Sequence, residues 1–407
     1  MAAQEPTRIL LTKYREHTIC ARFVGFRMTD VQVLVSGGLK VGDIVIGKVH
    51  TIRKGIGAAF ISLGSGPDAY LNLDDAYDII YTSGSADTPL RVGDEILVQV
   101  TKEAHGSKAL TVSANLMFSG RTVILMTGKQ SLGVSNRIPA GRKKELHQLI
   151  APLMPEGFGV IVRSAAENAS VIEISEELSA LSASACEKLA LWKTRTCFSV
   201  VEQSDSQQVD FIHAFRRDGI DEIVTDLPEE YDILSELFER EKETERIAVR
   251  LYEDPQMPLS NIYAIASQID HALSRKVYLS SGAWIFIEQT EAMTVIDVNT
   301  GKNQAIHDNR AGVKRRAVLD VNMEAAAEIA RQIRLRNLSG IIVTDFIDME
   351  EEQDREALLQ VLRDQTSDDP CSVHVVDLTA LQLCEMTRKR VKRPLSEQLM
   401  LDGDSDK

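Results

Sequence analysis

Three short apolar blocks in the last third of the chain each close on polar residues. They are Ala283-Trp-Ile-Phe-Ile-Glu288, Met293-Thr-Val-Ile-Asp-Val-Asn299 and Ile341-Ile-Val-Thr-Asp-Phe-Ile-Asp348. Their length and β-branched content predict strands. Acids at their C-terminal ends suggest a sheet presenting carboxylates along one edge. Between the second and third blocks, Ala326, Ile329, Ala330 and Ile333 recur at helical spacing. This predicts a helix over 323–336 that packs on the sheet and crosses between its strands. A second helix is expected over 353–364, a strand over 372–377 and a helix over 380–390.

Earlier patterns are different. Residues 7–36 alternate and read as a short β-meander, too small for a domain and so part of a sheet completed by later residues. Residues 39–118 are framed by two near-copies of one phrase, Leu39-Lys-Val-Gly-Asp43 and Leu90-Arg-Val-Gly-Asp94, each a turn leading into a strand. Five short strands with Gly-rich turns fit a small closed barrel. Residues 119–205 are mixed, with a helix over 143–153 and a strand over 159–166 that ends in Arg163-Ser164. Residues 206–280 are mostly helical: 231–242 is amphipathic, and Ser260 caps a helix carrying Ile262, Ile265, Ile269 and Leu273.

Length and composition add bounds. The 407 residues suggest two to four domains, and 44% apolar content supplies several cores. No run reaches the eighteen or so apolar residues of a membrane span, and the N-terminal residues show no secretory pattern, so no membrane partner and a cytoplasmic setting are expected. The five cysteines are scattered, with no CxxC pair, which fits a reducing compartment and no structural zinc. A net charge of -14 counts against nucleic-acid binding taken alone. Basic blocks at 314–316, 331–336 and 388–393 reopen that question, because local charge decides the partner.

Candidate chemistry follows from spacing. Asp297 and Asn299 are two apart on a strand and face the same way. With Asp345 on another strand end they make an oxygen-rich site of the kind that suits magnesium. By spacing alone, turn and cap roles fit these residues at least as well. Lys302, Lys314, Arg315, Arg316, Arg331 and Arg334 could hold a phosphodiester backbone. In the barrel, Phe60 and Tyr70 could stack on unpaired bases or belong to the core, and Lys48, Lys54, Lys102 and Lys108 could meet phosphates or solvent. Arg163 and Ser164 could form a phosphate pocket or a surface pair.

The stretches Ile287–Gly301, Asn322–Arg336 and Gly340–Met349 resemble the catalytic signature of the ribonuclease E/G family, and residues 39–118 resemble its S1-type oligonucleotide-binding barrel. The resemblance implies an α+β multidomain fold. It would comprise an RNase-H-like subdomain (1–38 and 206–278), the inserted S1-type OB barrel (39–118), a 5′-sensor subdomain (119–205), a DNase-I-like catalytic α/β subdomain (279–395) and a tail (396–407). It implies a magnesium-dependent endoribonuclease that cuts single-stranded RNA to 5′-phosphate and 3′-hydroxyl ends in rRNA and tRNA processing and mRNA decay, favouring 5′-monophosphorylated RNA. Asp297 and Asp345 match the magnesium-binding acids, and Asn299 the residue that helps position the attacking water. Phe60, Tyr70, Lys102, Lys108, Lys302, Arg331 and Arg334 are the RNA-binding candidates. Val134, Arg163 and Ser164 match the sensor of the 5′-monophosphate, with Ser164 standing where the family has threonine.

One departure stands out. The cysteine motif that links family protomers through zinc has no counterpart after Arg393. A homodimer or tetramer is therefore expected to form without a cysteine zinc link, and the shorter form within the family is the closer resemblance. The rival readings are an RNA-binding ribosome-assembly factor with weak or no cleavage and, less favoured, a DNA nuclease.

Overall fold

The computed structural model describes residues 5–34, 38–83, 89–104, 108–204, 206–216, 219–239, 246–301 and 311–400. The chain divides into two compact units, Met1–Ser36 with Ser206–Lys407, and Gly37–Asp205.

The Gly37–Asp205 unit contains the expected barrel. Strands Ile44–Arg53, Ala58–Ser62, Ala69–Asn72, Thr111–Ser113 and Glu95–Lys102 pair in that order, and the last pairs back with the first. This closed five-strand barrel is consistent with an OB-type fold. The repeated phrase builds the same turn twice. Asp43 accepts from the Lys40 amide and Asp94 from the Arg91 amide, at 2.8 and 2.7 Å. Gly42 and Gly93 sit at φ +100° and +95°, where a side chain would be strained. Asp43 also accepts from the Ser204 amide (2.8 Å) and hydroxyl (3.0 Å), joining the start of this unit to its end. A second sheet, in the order Met117–Ser119, Val123–Met126, Gly159–Val162 and Leu132–Val134, carries helices Ala140–Ile150 and Val171–Trp192. The longer helix opens on a capping box between Ser170 and Glu173.

In the other unit the N-terminal meander Thr7–Tyr14, His17–Val24 and Arg27–Leu34 is completed by distant residues. Strands Glu222–Thr225 and Ala248–Leu251 add in parallel, with Arg8 opposite Glu222. The helix expected after Ser260 is broken into Leu259–Ile262 and Ile265–Leu273 by Ala264, which adopts the left-handed conformation at φ +46°.

A six-stranded sheet fills the C-terminal part of this unit. Its order is Lys276–Tyr278, Trp284–Gln289, Met293–Asn299, Gly340–Asp345, Leu383–Arg388 and Val373–Leu378. The Met293–Asn299 and Gly340–Asp345 strands run parallel, joined by the crossover helix Ala311–Leu335. Val318, Val321, Ala325, Ala326, Ile329 and Ile333 of that helix are buried against Ile285, Ile287, Ile296 and Ile342. The helix ends in a Schellman motif: Leu338 N donates to Ile333 O (2.9 Å), Asn337 N to Arg334 O (3.0 Å), and Asn337 takes φ +51°. Helix Glu352–Thr366 packs on the same core through Leu358, Leu359 and Leu362.

Residues 380–390 are not a helix. They form strand Leu383–Arg388, hairpinned to Val373–Leu378, with Gln382 at φ +61° in the turn. The burial alternates, with Cys384, Met386 and Arg388 inward, so the period is two and the helix-forming composition is overridden. The short helix Leu395–Gln398 runs into the stretch expected as a tail from residue 396, and its Leu395 and Gln398 are buried.

Candidate active site

Strand alternation sets the site. In Met293–Asn299, Thr294, Ile296 and Val298 are buried against the helices, which leaves Val295, Asp297 and Asn299 on the open face. In Gly340–Asp345, Ile342 and Thr344 are buried and Asp345 is exposed. The crossover brings both strands to the same level, and Asp297 lies directly opposite Asp345. Two carboxylates therefore project from neighbouring strands, whose backbones lie about 4.8 Å apart, at the C-terminal ends of parallel strands, where α/β sheets commonly bind ligands.

The electrostatics follow from this pairing. Burial, and then the negative charges of Asp297 and Asp348, raise the Asp345 carboxyl above its ordinary range. Asn299 Nδ2 donates to Asp297 Oδ2 at 2.5 Å, holding that carboxylate in orientation. Among the described residues neither Asp297 nor Asp345 has an ion-pair partner. No group of three His, Cys, Asp or Glu suited to a metal occurs among the described residues. Two unpaired carboxylates do fit a magnesium ion, which keeps several waters and binds through one or two carboxylates plus substrate phosphate. They do not make a closed zinc site.

The segment after Asp345 is clamped from the crossover helix. Asn322 is fully buried, its Nδ2 donates to Ile347 O (2.8 Å), and its Oδ1 accepts from Ile347 N (3.1 Å). Sequence reading passed over Asn322; a buried amide among apolar helix positions was the available signal. Asp348 lies near enough for its charge to act on Asp345.

The basic blocks prove to be largely engaged inside the protein. Arg331 donates to Glu328 and, through Nη1, to Met28 O at 2.6 Å. Arg334 lies 3.6 Å from Asp30, Arg315 grips Asp354 with two hydrogen bonds, and Arg388 grips Asp369. Arg331 and Arg334 sit on the helix side of the sheet, so they are not brought to the carboxylate face. Lys302 lies outside the described residues.

In the barrel, Phe60 is directly opposite Tyr70, their rings 6.2 Å apart and edge to face. Tyr70 is opposite Thr111, and Thr111 opposite Lys102, so one row crosses four strands. Both rings are half-buried, and both alternate with the core residues Ala59, Ile61, Ala69 and Leu71, which places them outside the barrel. Lys102 and Lys108 are exposed. In the second sheet, Val134 pairs with Val162, next to Arg163. Arg163 Nη1 donates to Gly120 O at 2.7 Å, and Ser164 opens a 3-10 turn. The three sensor candidates thus gather at adjacent strand ends.

Comparison with known proteins shows the family. The sequence profile of the Ribonuclease E/G family matches residues 117–391. Ribonuclease G of Escherichia coli (strain K12) is 32% identical over 382 residues, spanning 88% of this chain and 74% of that protein. Ribonuclease E of Nostoc sp. is 32% identical over 410 residues, spanning 98% of this chain and 58% of its own length. Ribonuclease E of Synechocystis sp. is 31% identical over 405 residues, spanning 96% and 58%.

Proposed function

The chain belongs to the ribonuclease E/G family and is an endoribonuclease of RNA processing, and from that premise we propose that it hydrolyses single-stranded RNA at Asp297, Asn299 and Asp345 with magnesium. The observation that carries this reading is the cross-strand register of Asp297 with Asp345. Burial, and then the like charges of Asp297 and Asp348, raise the Asp345 carboxyl, and two carboxylates on neighbouring strands favour a cationic partner. Asp297 and Asp345 would hold the ion, which when bound offsets charge on the phosphoryl oxygens and acidifies water. Asn299 keeps Asp297 aimed across the strand pair, and Asn322 fixes the backbone just beyond Asp345. The products are a 5′-phosphate and a 3′-hydroxyl.

The barrel row Phe60, Tyr70 and Lys102, with Lys108, binds unpaired bases and phosphates by stacking and charge. Arg163 and Ser164, beside Val134, take a 5′-monophosphate, the guanidinium held in place by the Gly120 carbonyl. In this reading the six-stranded sheet is the DNase-I-like part, the N-terminal meander and its later strands the RNase-H-like part, and residues 119–205 the sensor. No helix among the described residues is long and apolar enough to cross a membrane.

One assay tests the proposal. A 5′-labelled single-stranded RNA is cut by the unmutated protein, faster with a 5′-phosphate than with a 5′-hydroxyl, and EDTA stops it. Asp297→Asn and Asp345→Asn bind the RNA without cutting, and Arg163→Ala cuts both ends at one rate. Undiminished cleavage by either Asn variant removes the site, and would leave RNA binding without this chemistry as the alternative.

A further inference from the structure

The open face of the six-stranded sheet is aromatic on one side of the carboxylates. Trp284 lies directly opposite Asn299, and Phe286 opposite Asp297. One strand further, Tyr278 lies opposite Trp284, and Lys276 opposite Phe286. Two rows result: Tyr278, Trp284, Asn299, and Lys276, Phe286, Asp297, Asp345. With neighbouring strands about 4.8 Å apart, Lys276 stands roughly 10 Å from Asp297.

These rings do not serve the core. Ile285 and Ile287, which alternate with them, are the buried positions of the strand, at 0% and 3% exposure. Tyr278 is 72% exposed and Trp284 and Phe286 are half-buried on the opposite face. The Trp284 and Phe286 rings meet edge to face, 6.4 Å between centroids. Lys276 Nζ lies over Trp284 at 4.0 Å and over Tyr278 at 4.9 Å. Flat apolar surfaces with a cation among them match a chain of bases joined by phosphates. Apolar protein surface would leave that cation without a counter-charge. The Lys276–Phe286 row runs into the carboxylates and the Tyr278–Trp284 row into Asn299 beside them, so a strand whose phosphate sits at Asp297 and Asp345 passes over the rings without leaving the sheet.

The geometry points to a stacking subsite formed by Trp284, Phe286 and Tyr278, with Lys276 on the adjoining phosphate, for a nucleotide next to the scissile bond. This rests on the ribonuclease reading above, and its test is chosen to fail separately. A short single-stranded RNA with one cleavage site is made in versions that lack the base at each nucleotide flanking that site. The unmutated protein loses roughly ten- to hundredfold in kcat/KM at one of these positions, the range expected for one stacked base. Trp284→Ala loses a similar factor on the intact RNA and nothing further on that abasic one, while Trp284→Phe restores the dependence. Urea midpoints verify folding; if Trp284→Ala is unfolded, Tyr278→Ala on the exposed ring supplies the same comparison. The subsite is overturned if the folded variants cut intact RNA at the unmutated rate. It is equally overturned if they stay as sensitive to the missing base, or if they change only the oligomeric state, which would make the face a contact between copies. Absence of cleavage by the unmutated protein would instead overturn the ribonuclease reading itself.

Discussion

Replacing Asn322 with leucine tests how the fold holds Asp345, the acid proposed to bind the metal. Leucine has the same branching and the same number of side-chain heavy atoms as asparagine, so no cavity is expected in the fully buried site. It removes both hydrogen bonds to Ile347 and leaves that residue's N–H and C=O unpaired. Each unpaired buried group costs about 1–3 kcal/mol. Ile347 is half-exposed, so water reaches part of the segment and the total is set near the lower end, about 3 kcal/mol. With a urea slope of about 2 kcal/mol per M, the midpoint falls by roughly 1.5 M. Trp284 fluorescence in a Trp192→Phe background reads the unit that holds the site. Asp345 lies two residues before Ile347, and a shift of about 1 Å in a reacting group can cost 100-fold. We expect kcat to fall by between ten- and a hundredfold, with RNA affinity little changed. Asn322→Asp keeps an acceptor for the Ile347 amide and should fall less. A leucine variant with unchanged kcat and a midpoint within about 0.3 M of the unmutated protein would refute the reasoning.

Two further outcomes concern buried charge. Asp369→Ala strands the Arg388 guanidinium, which is 5% exposed and bound to Asp369 at 2.8 and 3.0 Å, and should destabilise this unit by about 3–5 kcal/mol in urea, whereas Asp369→Leu with Arg388→Met should recover most of the loss. Burial opposes the Glu328 charge, but Arg331, Gln332 and Arg27 outweigh it and hold this carboxyl below its ordinary range. Its contribution is therefore present above the unfolded pKa of about 4.3 and is lost as pH falls through the lower folded value. Glu328→Gln should cost about 2–3 kcal/mol at pH 7, and a difference in urea midpoints that persists unchanged in acid would contradict this.

Much of the fold was legible because alternation and helical spacing are local. The Lys40–Asp43 phrase and its copy announced two identical turns, and Ile329 and Ile333 announced the face of the crossover helix. The strand Leu383–Arg388 was missed because Leu, Glu, Met and Arg suit helices, and only its pairing with Gly340–Asp345 reveals the period. The acids were visible, yet their register was not, since it depends on where the crossover helix returns the chain. The basic blocks misled for the same reason: the sequence displays Arg334 and Arg388, while the partners Asp30 and Asp369 are brought to them only by folding. Trp284 and Phe286 were read as strand residues without a face, which the buried Ile285 and Ile287 now assign.

The hydrogen bonds between Asp43 and Ser204 bear on the order in which the chain assembles. Arg8 must pair with Glu222 across 214 residues. During synthesis, at about 5–20 residues per second, the N-terminal meander waits on the order of ten to forty seconds for its parallel neighbour. Once the inserted unit has folded, Asp43 and Ser204 meet, and the open path shrinks to the 35 residues from Arg8 to Asp43 and the 18 from Ser204 to Glu222. That is about two halvings of loop length, and the entropy of closing the first sheet drops by about 1.2 kcal/mol. The insertion thus works as a clasp that shortens the search of the sheet it interrupts. Weakening that clasp should slow assembly of the first sheet more than it weakens the finished protein.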